Sequence, residues 1–111
     1  MDIVVTPTAS VTTVEVSGDI DSSSAPLAQQ RILGLVNPSC RILLDMRRVE
    51  YMSSAGLRML LSLYRSIASG GGMVAVVGLS DDIRETMSLT GFLNFFKLYE
   101  TLEEGLAVLN Q

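Results

Sequence analysis

Two adjacent hydroxyls, Ser53 and Ser54, are the side chains of this sequence best placed to do chemistry. They lie in Asp45-Met-Arg-Arg-Val-Glu-Tyr-Met-Ser-Ser-Ala-Gly-Leu-Arg58, where a buried-strand pattern runs into an amphipathic helix. A serine just ahead of a helix sits beside unpaired backbone N–H groups, and the positive end of the helix dipole favours an anion there. Such a position accepts a phosphate without unfolding. Serine is equally a preferred N-cap, so type and position alone leave plain capping as the alternative. Serine-hydrolase chemistry is not on offer, because the chain has no histidine and its one lysine, Lys97, is remote in sequence. Gly70-Gly-Gly72 precedes a strand and lacks a following Lys-Ser/Thr, so it reads as flexible helix termination and not as a phosphate-binding loop. Asp19, Asp21 and Asp45 could converge at one end of a sheet; solvated loop residues and caps are the plainer reading than a divalent-metal site. The single cysteine, Cys40, allows no internal disulfide and reads as small, partly buried filler beside a strand.

These residues need elements to position them. Ile3–Val5 and Val11–Val16 read as two strands opening the sheet in antiparallel fashion, with Val14 and Val16 inward and Thr13, Glu15 and Ser17 outward. Gly18–Ser24 is a turn cluster, and Pro26 belongs in the first turn of a helix expected to run to about Val36 and to stop at Asn37-Pro38. Arg41–Asp45 and Met73–Gly78 are continuous apolar runs, as expected of inner strands covered on both faces. Between them, Leu57, Leu60, Leu61, Tyr64 and Ile67 form a helical stripe expected to pack on Ile42–Leu44 and Val74–Val77. Tyr51 and Met52 are expected to plug the loop from the core side. Ser80-Asp81-Asp82 starts a short helix, Phe96–Tyr99 is the last strand, and Thr101-Leu-Glu-Glu104 is a capping box opening a C-terminal helix. The result is an α/β fold: a mixed sheet of four to five strands with about four helices.

Composition bounds the function. At 111 residues the chain is expected to be one domain, 1–111, with a modest aliphatic core: 48% of residues are apolar and none is tryptophan. A net charge of −4 argues against nucleic-acid binding. The longest uninterrupted apolar stretch, Met73–Leu79, is far short of the roughly 20 residues that span a bilayer, so no membrane insertion is expected. The N-terminus lacks the pattern of a secretory signal, and a cytoplasmic location is the expectation. Arg47, Arg48 and Arg58 make a local positive rim around the serines, either simply solvated or set to meet an acidic partner surface.

Four short motifs occur in order along the chain: Gly18-Asp19-Ile20-Asp21, Ile42-Leu-Leu-Asp45, Tyr51-Met-Ser-Ser-Ala-Gly-Leu-Arg58 and Leu89-Thr90-Gly91. Together they resemble the STAS domains of the anti-sigma-factor-antagonist family, over essentially the whole sequence. The resemblance implies that Ser54 is the serine phosphorylated by a partner kinase. Ser53 falls where many relatives carry Asp, which removes a carboxylate beside the phosphoacceptor, and Ala55 replaces another common serine. Asp19 and Asp21 resemble family residues beside the phosphoacceptor, where they contact the kinase or order the loop; turn capping is the alternative.

On this resemblance the chain is a non-enzymatic switch that binds a serine-kinase anti-sigma factor through Asp19, Asp21, Ser53, Ser54, Ala55, Gly56 and Arg58. It frees a sigma factor when unphosphorylated and is inactivated by phosphate on Ser54. ATP and Mg²⁺ belong to the kinase, so the chain itself needs no cofactor, and a metal-dependent serine phosphatase resets it. Two competitors stand beside this reading. One is a STAS subunit of a membrane lipid-transport ATPase, using the same helix face as a structural contact. The other is an enzyme or small-molecule binder at the Asp19, Asp21 and Asp45 end of the sheet.

Overall fold

The computed structural model describes residues 1–8 and 10–110. In chain order the elements are β1 (Asp2–Pro7), β2 (Thr12–Ser17), α1 (Ala25–Leu33), β3 (Arg41–Arg48), α2 (Ser54–Ser69), β4 (Met73–Val77), α3 (Asp81–Thr90), a 3-10 turn (Phe92–Phe95), β5 (Lys97–Tyr99) and α4 (Leu102–Leu109). The five strands lie in sequence order. β1 and β2 are antiparallel, as their alternating pattern implies, and every later neighbour is parallel. Parallel neighbours need crossovers, and α1, α2 and α3 supply them.

The continuous apolar runs have the expected cause: both faces of the inner strands are covered. On one face Val14, Val16, Ile42, Leu44, Val74 and Val76 pack with Ala28 and Ile32 of α1, Leu60, Leu63 and Ile67 of α2, and Ile83 and Met87 of α3. On the other, Leu43, Ala75 and Val77 meet Val11 and Leu109. Side chains alternate along a strand, so α2 rests on Ile42 and Leu44 while Leu43 between them points to α4. The expected contact of α2 with the whole of Ile42–Leu44 and Val74–Val77 is corrected to the alternate residues.

Three further expectations change in detail. The stripe of α2 is centred on Leu57, Leu60, Leu63 and Ile67, with Met59 also buried; Leu61 and Tyr64 are only half-buried at its border. Helix α1 ends at Leu33 and not near Val36, because the amides of Leu35 and Val36 turn back to the carbonyls of Ile32 and Leu33 in i→i−3 bonds that tighten and close the last turn. Strand β3 runs three residues past Asp45, to Arg48. Pro26 lies in the first turn of α1, Ser80 Oγ accepts from Ile83 N and Thr101 Oγ1 accepts from Glu104 N, as expected; the expected capping box at Thr101 differs in its second bond, where Glu104 Oε1 accepts from the Thr101 hydroxyl.

Candidate functional site

The site is built where two loops are sewn together. Ile20 N donates to Tyr51 O at 3.0 Å and Ser53 N donates to Ile20 O at 2.8 Å, so Ile20 and Met52 pair like a short piece of parallel sheet. This tether brings the Gly18–Asp21 turn against the start of α2, and it makes two motifs 30 residues apart into one surface. Ile20 itself was not singled out from the sequence. Its signal was there, an apolar residue alone in a polar turn cluster, and the structure buries it completely.

An extended segment alternates its side chains, and that sorts the two residues ahead of the serines. Met52 is buried against the loop core, as expected. Tyr51 points the other way and is 54% exposed, which corrects the expectation that it plugs the loop. It lines a cleft of about 230 Å³ with Glu50 and Leu57 on one side and Asp82 and Thr86 of α3 on the other.

The two serines divide the work. Ser53 is the N-cap, with extended backbone at φ −78° and ψ 174°, its carbonyl accepting from Leu57 N at 3.0 Å and its hydroxyl receiving Gly56 N at 3.4 Å. Ser54 is the first residue of the helix. It is exposed, and its hydroxyl has no hydrogen-bond partner among the described residues. The capping role therefore falls on Ser53 and leaves Ser54 Oγ free at the positive end of the 16-residue α2, beside first-turn amides that no helix carbonyl can reach.

The next residues explain why the helix begins so close to the turn. A Cβ on Gly56 would stand 2.5 Å from Met52 Cγ and 2.9 Å from Ile20 Cγ2, so only glycine lets α2 approach the tethered loop this closely. Ala55 is half-buried and Arg58 is exposed. Arg58 has no ion-pair or hydrogen-bond partner among the described residues.

The acids behave differently from one another. Asp21 is spent on its own turn: Oδ1 accepts from Ser23 N at 2.9 Å, Ser23 Oγ at 2.7 Å and Ser24 N at 3.0 Å. These bonds, the Ser23 hydroxyl first among them, hold its carboxyl down at about 2. Asp19 is exposed beside it. Asp45 is buried at 2% exposure and takes Arg47 as its partner, with Nη2 to Oδ2 at 2.9 Å. Burial pushes the Asp45 carboxyl up, but the hydrogen bonds and charge of Arg47 outweigh it and hold the group below the usual carboxylate range. Asp19, Asp21 and Asp45 are thus not one cluster, and no group of three or more acids, cysteines or histidines suited to a metal forms among the described residues. The arginine rim also thins: Arg47 belongs to Asp45, and Arg48 pairs with Glu15 at 3.5 Å, leaving Arg58 as the uncommitted charge near the serines.

The chain is similar to known proteins in sequence and fold. The STAS domain profile matches residues 2–105. An anti-sigma-B factor antagonist of Bacillus subtilis is 24% identical over 92 residues, 83% of this chain and 84% of its own length. The crystal structure of an anti-sigma factor antagonist from Mycobacterium paratuberculosis superposes with a TM-score of 0.87 at 32% identity, covering 99% of this chain and 94% of that one. SpoIIAA, a Bacillus cell-fate determinant solved in its phosphorylated form, shares the fold at a TM-score of 0.72 and 17% identity, covering 96% of this chain and 98% of that one. Among the described residues no helix is long and apolar enough to cross a membrane.

Proposed function

The chain belongs to the STAS domain family, and we propose that it acts as an anti-sigma factor antagonist switched off by phosphorylation of Ser54. The unphosphorylated surface formed by Asp19, the Ser53–Ala55 helix start and Arg58 binds a serine-kinase anti-sigma factor in the cytoplasm and so releases the sigma factor that the kinase holds, while Gly56, buried against Met52 and Ile20, supports this surface from below instead of contacting the partner. Asp21 serves that surface by ordering the turn beneath it, through the bonds from Ser23 and Ser24. The kinase contributes ATP and Mg²⁺, and a metal-dependent serine phosphatase removes the phosphate.

One observation carries this reading: Ser53 caps α2, so Ser54 is not needed as a cap and offers an exposed hydroxyl at the helix start. A phosphate there adds about −1.5 to −2 charges and three acceptor oxygens, which the helix N-terminus tolerates and a docked interface does not. Disrupting one buried interfacial contact costs about 2 kcal/mol or more, over tenfold in affinity. Association is switched while the fold stays intact.

The test is incubation with ATP and the serine-kinase anti-sigma factor of the same organism, followed by intact-mass analysis and a binding titration. One phosphate on wild type, none on Ser54→Ala, and at least tenfold weaker kinase binding by the phosphorylated form are expected. Modification elsewhere, or unchanged binding after modification, overturns the proposal.

A further inference from the structure

We propose that Arg58 is the internal counter-ion of the Ser54 phosphate, so that phosphorylation also withdraws this arginine from the partner surface. The inference rests on phosphorylation of Ser54 as proposed above and concerns what the fold then does with the new charge.

Ser54 and Arg58 are four residues apart near the start of α2, and both are exposed. Residues at this spacing are neighbours on a helix surface. Side chains lean toward the N-terminus of their helix, so the turn that begins with Ser54 is within reach of the long Arg58 side chain. An anion preceding a cation by four residues is also the more favourable order, because each then lies on its preferred side along the helix dipole. The residues between them do not compete: Ala55, Gly56 and Leu57 are uncharged, and Gly56 and Leu57 are buried.

The other nearby cations are already engaged. Arg47 is held in two hydrogen bonds by Asp45, and Arg48 faces Glu15. Arg58 has no such partner among the described residues. A guanidinium presents two parallel donors that match two phosphate oxygens, which makes arginine better suited than a point charge to hold the group in one place. In the unphosphorylated chain the same guanidinium is free to meet an acidic partner. A single modification thus adds a negative charge and removes a positive one from the surface that docks.

The segments next to the helix start carry acids that work against the pair. Asp19 and Asp21 lie on the turn bonded to Ser53, Glu50 lies in the segment before it, and Asp81 and Asp82 begin α3 across the cleft. Like charges raise the second ionisation of a phosphate, whereas a guanidinium in contact lowers it, so this ionisation reads the pair directly.

Phosphoserine should be installed at position 54 during translation, and its second ionisation followed by ³¹P NMR at low salt in wild type, Arg58→Gln and Arg58→Lys. The expected midpoint is about 0.15–0.4 unit lower in wild type than in Arg58→Gln, with Arg58→Lys between them and the gap closing in about 0.5 M salt. Midpoints for wild type and Arg58→Gln that agree within about 0.1 unit overturn the proposal. Because no kinase is used, that result would speak against Arg58 alone, whereas failure of the kinase to label Ser54 would strike at the proposed function.

Discussion

Asp45 and Arg47, two residues apart on one face of β3, form a two-point ion pair in which Arg47 Nε donates to Oδ1 and Nη2 to Oδ2, each at 2.9 Å. The Arg47 amide adds a third bond to Oδ1 at 3.1 Å. The arginine stem then lies across Gly78, whose φ of +72° and lack of a side chain make room for it: a Cβ there would be 2.1 Å from Arg47 Cγ. One pair therefore fixes the exit of β4 and the end of β3, the last rigid point before the loop that carries Ser53 and Ser54.

Asp45→Asn keeps the shape of this carboxylate and removes its charge. About 1–2 kcal/mol of stability should be lost at pH 7, less than for a fully enclosed pair because half of the Arg47 side chain is in solvent. The folded carboxyl titrates below its ordinary 3.8, so its contribution is complete above that value and disappears as the pH falls through the folded value. Urea unfolding at several pH values should show wild type and variant converging below about pH 4. A constant gap down to pH 3 would assign the loss to packing and not to charge.

Asp21 offers a second titration with the same sign. Its carboxyl should titrate near 2 by NMR, and Ser23→Ala should move the midpoint upward because the Ser23 hydroxyl is the largest stabiliser of the charged form. The corresponding contribution to stability is complete above 3.8 and is lost as the pH falls toward about 2. A wild-type midpoint at 3.8 would mean that the turn beneath the site is not ordered in this way.

The layered fold was legible because its causes are local: period-2 and period-3.6 patterns, Pro26 in a first turn, serine and threonine caps. What escaped were relations between distant segments. The sequence placed Leu61 and Tyr64 on the stripe of α2, but which face of a helix turns inward is set by where α1 and the sheet stand, and that rotation brought in Leu63. Tyr51 emerged because Met52 took the position opposite Ile20, a pairing across 32 residues. The pairing of Asp45 with Arg47 did have a sequence signal, since residues two apart on a strand share a face, yet the strand was expected to stop at Asp45.

The core of α2 separates these readings in a stability measurement. Leu60→Ala and Leu63→Ala, both at fully buried positions, should each cost about 2–5 kcal/mol. Leu61→Ala should cost clearly less, because that residue lies half-buried at the border of the stripe. Denaturant unfolding that found Leu61 more costly than Leu63 would rotate the helix back to the orientation first read from its pattern.

Gly56→Ala tests the approach of α2 to the tethered loop. The added methyl meets the side chains of Met52 and Ile20 and, at 3.2 Å, the carbonyl oxygen of Ile20, and the displacement should cost about 1–3 kcal/mol while loosening the Ile20 pairing. Hydrogen exchange at the Ser53 amide, which donates to Ile20 O, should accelerate. Unchanged protection at Ser53 would show that the loop absorbs the methyl without moving.

The last prediction separates the two serines, because structure gives them different work. Ser53→Ala removes the cap hydroxyl and should lower stability by about 0.5–1 kcal/mol, toward the lower end for caps since the bond to Gly56 N is long at 3.4 Å. It should leave phosphorylation in place. Ser54→Ala removes an exposed hydroxyl with no partner among the described residues, so stability should stay within about 0.5 kcal/mol of wild type while phosphorylation is abolished. Ser54→Asp places part of the phosphate's charge at the helix start, where the dipole favours it, so its melting temperature should match or slightly exceed that of wild type even as kinase binding weakens. Thermal melts and intact-mass analysis of the three variants decide the matter together. If Ser54→Ala is destabilised as a cap and Ser53→Ala escapes modification, the roles are exchanged and the switch lies on the other hydroxyl.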